Sequence, residues 1–287
     1  METKDIFRTK VDSMKGSGWS PIAVAIVGTI VVMIILPICL VFLYAVSTKW
    51  YQTSWWWPQE VGTKWLLSIF ETENLRNALV NSYSIAFLTT LATLAITFPA
   101  SYVLGTKERY NTGWPATVIE TFSNFPLAFP TITLALGLMP LFQALGLMSS
   151  YTGIVLCHMI MSIPYAMRAM VGSFIMIPPE YEEAARNLGA SRLYVMRVIY
   201  LPLVWRGMLA ASIFAFSWSL NEFVLVMLLG FPEIETIPVQ IYQFVGGYYL
   251  HPQKAAMLGL FLLIPALGLM YIVERLLKGS AVVPAGA

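Results

Sequence analysis

Glu222 is the side chain whose position most needs a chemical reason. It falls within AFSWSLNEFVLVMLLG, the apolar run from Ala215 to Gly230, and an ionised carboxylate inside hydrocarbon is costly unless it is paired or hydrated. With Asn221 and Ser219 beside it, Glu222 would give a translocation path a wall that attracts cations and offers hydrogen bonds. It could equally bond to a neighbouring subunit or stay wet near the outer interface. His158 adjoins Cys157, a pair suited to metal or nucleophilic chemistry, but no other cysteine or histidine is spaced to complete a metal site. His158 therefore reads as a buried, hydrogen-bonded histidine. Glu120, near Lys107 and Arg109, reads as a paired interfacial carboxylate. No glycine-flanked serine precedes a histidine in a later span, as an intramembrane protease would need. The phosphate-cradling pattern GxxxxGKS/T is also absent, so ATP hydrolysis would have to reside in another polypeptide.

The elements that must position these residues are membrane spans. Of 287 residues, 58% are hydrophobic and 11% charged, far from the balance of a soluble domain. Six stretches are apolar for the roughly 20 residues that a helix needs to cross a bilayer: 20–47, 78–104, 116–139, 151–172, 204–230 and 255–277. The predicted fold class is all-α, a polytopic membrane protein. Residues 1–19 form a tail, 20–77 a first span with an outer segment, 78–277 a five-span core, and 278–287 a second tail. The first span is too long for a cleaved signal peptide. Basic residues flanking spans favour the cytoplasmic side. With the N-terminus inside, Lys4, Arg8, Lys10, Lys15, Lys107, Arg109, Arg168, Arg186, Arg192, Arg197, Arg206, Arg275 and Lys278 fall inside, thirteen of the seventeen Lys and Arg. Both termini are thus expected in the cytoplasm.

Within the outer segment 48–77, Trp50, Tyr51, Trp55, Trp56, Trp57 and Trp65 read as an interfacial anchor. Pro37, Pro99, Pro126, Pro130, Pro164 and Pro265 favour kinks within spans. Gly137, Gly172, Gly207, Gly259 and Gly268 would let helices pack closely. The segment from Pro232 to Gln253 could serve as an outer gate or a docking surface. Cys39 and Cys157 lie in apolar spans and give no disulfide framework.

Between two spans lies a segment of a different kind, EAARNLGASRLYVMRVIYLP, residues 183–202. Pro178 and Pro179 open a short helix through Leu188, with Glu180, Glu182 and Glu183 at its positive end. Gly189 stops it, and Ser191 caps a second short helix running to Leu201 and Pro202. Ala184 and Ala185 carry little bulk, so a partner could approach the backbone closely. An amphipathic connector between spans would share these local features.

The spacing Glu183-Ala184-Ala185, then Gly189, Ile199, Leu201 and Pro202 resembles the EAA loop of the permease subunits of ATP-binding-cassette (ABC) importers at every defining position. The resemblance implies the type I importer permease fold over spans two to six. It implies a non-catalytic transport subunit in the bacterial inner membrane, with Glu183, Ala184, Ala185, Leu188, Gly189, Ile199, Leu201 and Pro202 meeting the ATPase. The implied partners are a cytoplasmic ATPase dimer that carries ATP and Mg, a second permease, an extracytoplasmic solute-binding protein and membrane lipid. This chain is expected to hold no cofactor or metal of its own and to bind no nucleic acid. Ser219 to Val224, with Thr236 to Tyr242, resembles the polyamine permeases and suggests a spermidine- or putrescine-like solute. Permeases for phosphonate, thiamine or ferric iron share much of this second pattern. A stand-alone secondary transporter or channel would need coupling carboxylates in several spans.

Overall fold

The computed structural model describes residues 21–50, 57–106, 113–246 and 250–278. Helix α1 (Pro21–Val46) leads into a two-stranded antiparallel ribbon, β1 (Ser47–Lys49) with β2 (Glu60–Val61), and a short helix α2 (Lys64–Glu71). Then come α3 (Glu73–Gly105), α4 (Gly113–Asn124), α5 (Thr131–Ala144) and α6 (Tyr151–Ile175). Two short helices, α7 (Pro179–Asn187) and α8 (Arg192–Val195), precede α9 (Leu201–Asn221). The chain ends with α10 (Val224–Leu229), α11 (Ile237–Gly246) and α12 (Pro252–Lys278). Among the described residues, five helical stretches are long and apolar enough to cross a membrane, and a sixth span is available if the bent pair formed by Gly113–Ala128 and Thr131–Ala144 counts as one.

Helices α3, α6 and α9 pack against one another as the centre of the bundle. The faces that meet are small and polar. Thr89, Thr93, Thr97 and Ser101 recur every fourth residue along α3 and are buried, which places them on one stripe of the helix. Thr93 shares a 2.7 Å hydrogen bond with Ser162 of α6, and the Ser101 hydroxyl donates to the Met167 sulfur at 3.3 Å. In hydrocarbon, where apolar surface gains little from meeting other apolar surface, such close packing and interhelical bonding hold helices together. Gly207 of α9 sits so close to α6 that a Cβ there would lie 2.1 Å from the Ser173 Oγ. Helix α1 stands outside this centre against α12, and most of its side chains are exposed.

Four expectations are corrected. The third span is not continuous: Phe129 and Pro130 are extended, and the helices on either side meet at 107°. Proline drives its preceding residue out of the helical region, so Pro130 makes a break rather than a kink. The fifth span ends at Asn221 and not near 230, because Glu222 adopts an extended ψ of 129° before α10 begins. The second short helix does not stop at Leu201 and Pro202 but runs on into α9. A π turn over Met196–Tyr200 lies just ahead of Pro202; its wider hydrogen-bond register accommodates the donor that proline lacks. The second span also begins earlier than residue 78, at Glu73.

At the end of the bundle remote from α7, the ribbon is tied by a salt bridge between Lys49 and Glu60. Trp65 is engaged within the protein: its indole N–H donates to the Ser47 carbonyl at 2.6 Å, and Lys64 and Lys254 lie over its ring. Trp50 stacks on Tyr44 with ring centroids 4.4 Å apart, whereas Trp57 is exposed. Tyr51, Trp55, Trp56, Lys107 and Arg109 lie outside the described residues, as do residues 1–20, 247–249 and 279–287.

Candidate functional site

Helices α7 and α8 form an elbow that follows the end of α6 and precedes α9. Pro178 is the N-cap of α7 and Pro179 its first residue, with Glu180 and Glu182 in the first turn. A fixed proline φ and carboxylates near the positive helix end both favour initiation here. Gly189 terminates the helix with φ +85°, a left-handed conformation that only glycine adopts cheaply. The Leu188 and Gly189 N–H groups bond to carbonyls of the last turn. Ser191 then caps α8, its hydroxyl accepting from the Tyr194 N–H at 3.3 Å.

The two arms of the elbow enclose an open groove of about 690 Å³, lined among others by Ala185, Leu188, Gly189, Tyr194 and Ile199. Leu188 is 89% exposed at its rim. Tyr181, Leu193, Tyr194 and Val198 are also exposed, an apolar surface of the kind that marks a contact site. Glu183 and Ala184 face outward with them. Ala185 differs: it turns inward and packs with Ala190 and Ile199 on the buried cluster around Phe174 and Tyr200. Leu201 and Pro202 are exposed at the start of α9.

The elbow is fastened to the bundle by a residue that its spacing pattern does not single out. Glu182 is 2% exposed. Its Oε2 accepts from the Tyr200 hydroxyl at 2.5 Å, and its Oε1 accepts from the Tyr102 hydroxyl at 3.5 Å and from the Arg186 guanidinium at 3.4 Å. Tyr102, Phe174 and Tyr200 form a triangle of ring contacts with centroids 5.1 to 5.9 Å apart. A sequence signal does exist: Glu182 and Ala185 are three residues apart and share the inward face of α7.

The three residues expected along a translocation path engage different partners. The Glu222 Oε1 accepts from the Leu225 N–H at 2.9 Å and so caps α10. The Asn221 amide donates back to the Ser217 carbonyl at 2.8 Å. Ser219 is buried, with its Oγ 2.8 Å from the His158 Nδ1. His158 also meets the Trp218 ring edge-on, and its Nε2 is buried without a hydrogen-bond partner in the structure. Glu120 lines a second cavity of about 720 Å³ together with Arg168, Ser123 and Asn124. Among the described residues no group of three or more His, Cys, Asp or Glu is arranged to hold a metal ion.

A family model described as "binding-protein-dependent transport system inner membrane component" matches residues 97–279. The permease protein ORF1 of Streptomyces antibioticus, described as an ABC transporter permease, is 32% identical over 72% of this chain and 89% of its own length. A sulfoquinovosyl glycerol transport system permease of Agrobacterium fabrum is 28% identical over 78% of each chain. The spermidine/putrescine transport system permease PotC of Escherichia coli is 26% identical over 73% of this chain and 77% of its own. Among solved structures, a chain of a bacterial ABC transporter that imports alginate superposes with a TM-score of 0.70 at 16% identity. That match covers 90% of this chain and 99% of the other.

Proposed function

We propose, for a chain that belongs to the binding-protein-dependent transport system inner membrane components, that the α7–α8 elbow seats a cytoplasmic ATPase and carries its movement into the bundle. The chain is an ABC importer permease of type I fold, a multi-pass inner-membrane subunit without catalytic activity of its own. One observation carries the coupling role. The elbow at Gly189 presents Leu188 and an open groove at an end of the central helices, joined directly to α6 and α9. Glu183, Ala184, Ala185, Leu188, Gly189, Ile199, Leu201 and Pro202 are the residues we assign to it. Among them Glu183, Ala184 and Leu188 face the ATPase, and Ala185 and Ile199 support the elbow from within.

The ATPase is a dimer that binds ATP and Mg, and each nucleotide state favours one arrangement of the spans because it binds that arrangement more tightly. A second, homologous permease completes the path, and a solute-binding protein delivers to the opposite face. Both termini lie on the ATPase side. The relatives named for a sulfoquinovosyl glycerol and for polyamines do not single out one solute. We assign a small organic solute, with a spermidine- or putrescine-like polyamine as the candidate that the acidity at Glu222 favours. Glu222, with Asn221, places acidity at the α9–α10 break, and Glu233, Glu235, Asn74, Asn77 and Asn81 line a polar cavity at the same end.

The test is reconstitution of the chain with its co-purifying partners in proteoliposomes, with the solute recovered from the binding protein identified by mass spectrometry. ATP-dependent uptake of a small organic solute is the expected result. Uptake independent of ATP would contradict the coupling role, and an anionic solute would contradict the polyamine candidate.

A further inference from the structure

We infer that Glu182 is a positioning residue that latches the coupling helix α7 to the bundle, so that α7, α3 and α9 move as one body. The inference rests on the reading of the elbow as the ATPase seat. Glu182 does not face that seat: it is 2% exposed and is not among the residues that line the groove. Three of its partners belong to different elements. Tyr102 is near the end of α3, Tyr200 ends the π turn that feeds α9, and Arg186 lies one turn further along α7 itself. Phe174, at the end of α6, closes the cluster against both tyrosines. One carboxylate thus joins α7 to α3 and to the turn that feeds α9, and the two tyrosines it holds pack on Phe174 of α6.

Stability alone gives no reason for a carboxylate at this place. Burying an ion is costly, and replacing a whole buried ionic cluster with apolar side chains of similar size is often neutral or stabilising. A directional acceptor does what an apolar side chain could not. It fixes the distance and rotation of α7 relative to Tyr200, because a hydroxyl bond of 2.5 Å weakens steeply away from good geometry, and the Tyr102 hydroxyl at 3.5 Å adds a longer contact. An apolar contact at the same site would permit sliding. The helices beneath are already held by their own polar stripe and ring contacts. Loss of the latch would therefore free α7 without unfolding the bundle.

The test uses the full chain with its co-purifying ATPase in lipid nanodiscs, carrying Cys39→Ser so that the exposed native thiol is not labelled, while Cys157 is buried. Spin labels are placed at Glu180→Cys on α7 and Leu91→Cys on α3, both exposed. Their separation is measured by pulsed electron resonance in three versions: Glu182 intact, Glu182→Met, and the Tyr102→Phe, Tyr200→Phe pair. The inference predicts a single narrow distance population with Glu182 intact. In Glu182→Met and in the tyrosine pair that population is lost to a broad or split one; a fall in the unfolding midpoint of Glu182→Met accompanies it, because the buried Tyr200 hydroxyl loses this acceptor. Glu182→Gln keeps an oxygen acceptor for Tyr200 and restores the narrow population at least in part. A narrow population unchanged in Glu182→Met overturns the latch. So does a lowered unfolding midpoint with an unchanged distance, which would make Glu182 a structural residue only. If the chain with Glu182 intact retains no ATPase, the seat assignment fails and not the latch, whose distance readout stands on the chain itself.

Discussion

At the residue scale, Gly189 and Glu222 each serve the chain's own fold, and the proposed function gives each a second role outside it. Gly189 holds φ +85°, which an L side chain tolerates at a cost of about 1–2 kcal/mol. A Cβ there would meet nothing within 4 Å, so added bulk points into the open groove and its main effect falls on whatever enters. Glu222 was legible from sequence as a carboxylate in an apolar run, but its use as the cap of α10 was not, because the break after Asn221 depends on tertiary packing. Glu222→Gln keeps the oxygen that accepts from Leu225. We expect it to leave the thermal unfolding of the purified chain unchanged, whereas Glu222→Ala loses the cap and about 1 kcal/mol. If Glu222 also faces the path, Glu222→Gln alters the concentration dependence of ATP-driven uptake; unaltered uptake would leave it a cap alone. His158 has the buried environment its apolar surroundings suggested. Its partner Ser219 lies 61 residues away, a distance that local pattern cannot bridge.

At the element scale, span existence was legible and span continuity was not. Hydrophobic length marks α1, α3, α6, α9 and α12 well, since crossing a bilayer imposes that length. The 107° bend at Phe129 and Pro130 looks in sequence like the prolines at Pro99 and Pro164, which α3 and α6 absorb. Whether a proline kinks or breaks a helix depends on what the neighbouring helices can re-satisfy. The glycines divide in the same way. A Cβ at Gly207 would lie 2.1 Å from the Ser173 Oγ, whereas one at Gly172 would meet nothing within 4 Å. Gly207→Ala is therefore expected to lower stability by about 1–3 kcal/mol through overpacking at the α6–α9 contact. Gly172→Ala should be neutral or slightly stabilising, because alanine restricts the unfolded chain. Thermal unfolding in one detergent compares the two, and equal shifts would contradict the close approach.

At the scale of the whole molecule, the proposed function makes the elbow the place where the membrane chain meets its source of energy. Its spacing from Glu183 to Pro202 was readable because a glycine stop, a serine cap and a proline start are local devices. Glu182 was not singled out, since Tyr102, Arg186 and Tyr200 come together around it only when α3, α7 and the start of α9 are packed. The central claim is that the Gly189 elbow seats an ATPase, and the direct measurement is affinity purification of the tagged chain in mild detergent, with and without Gly189→Asp. The account predicts that mass spectrometry finds an ATP-binding-cassette ATPase with the unmodified chain and at least about ten-fold less with Gly189→Asp, a loss of about 1.4 kcal/mol or more, at equal membrane insertion. Equal recovery of the ATPase with both would contradict the seat, and so would recovery of the unmodified chain alone.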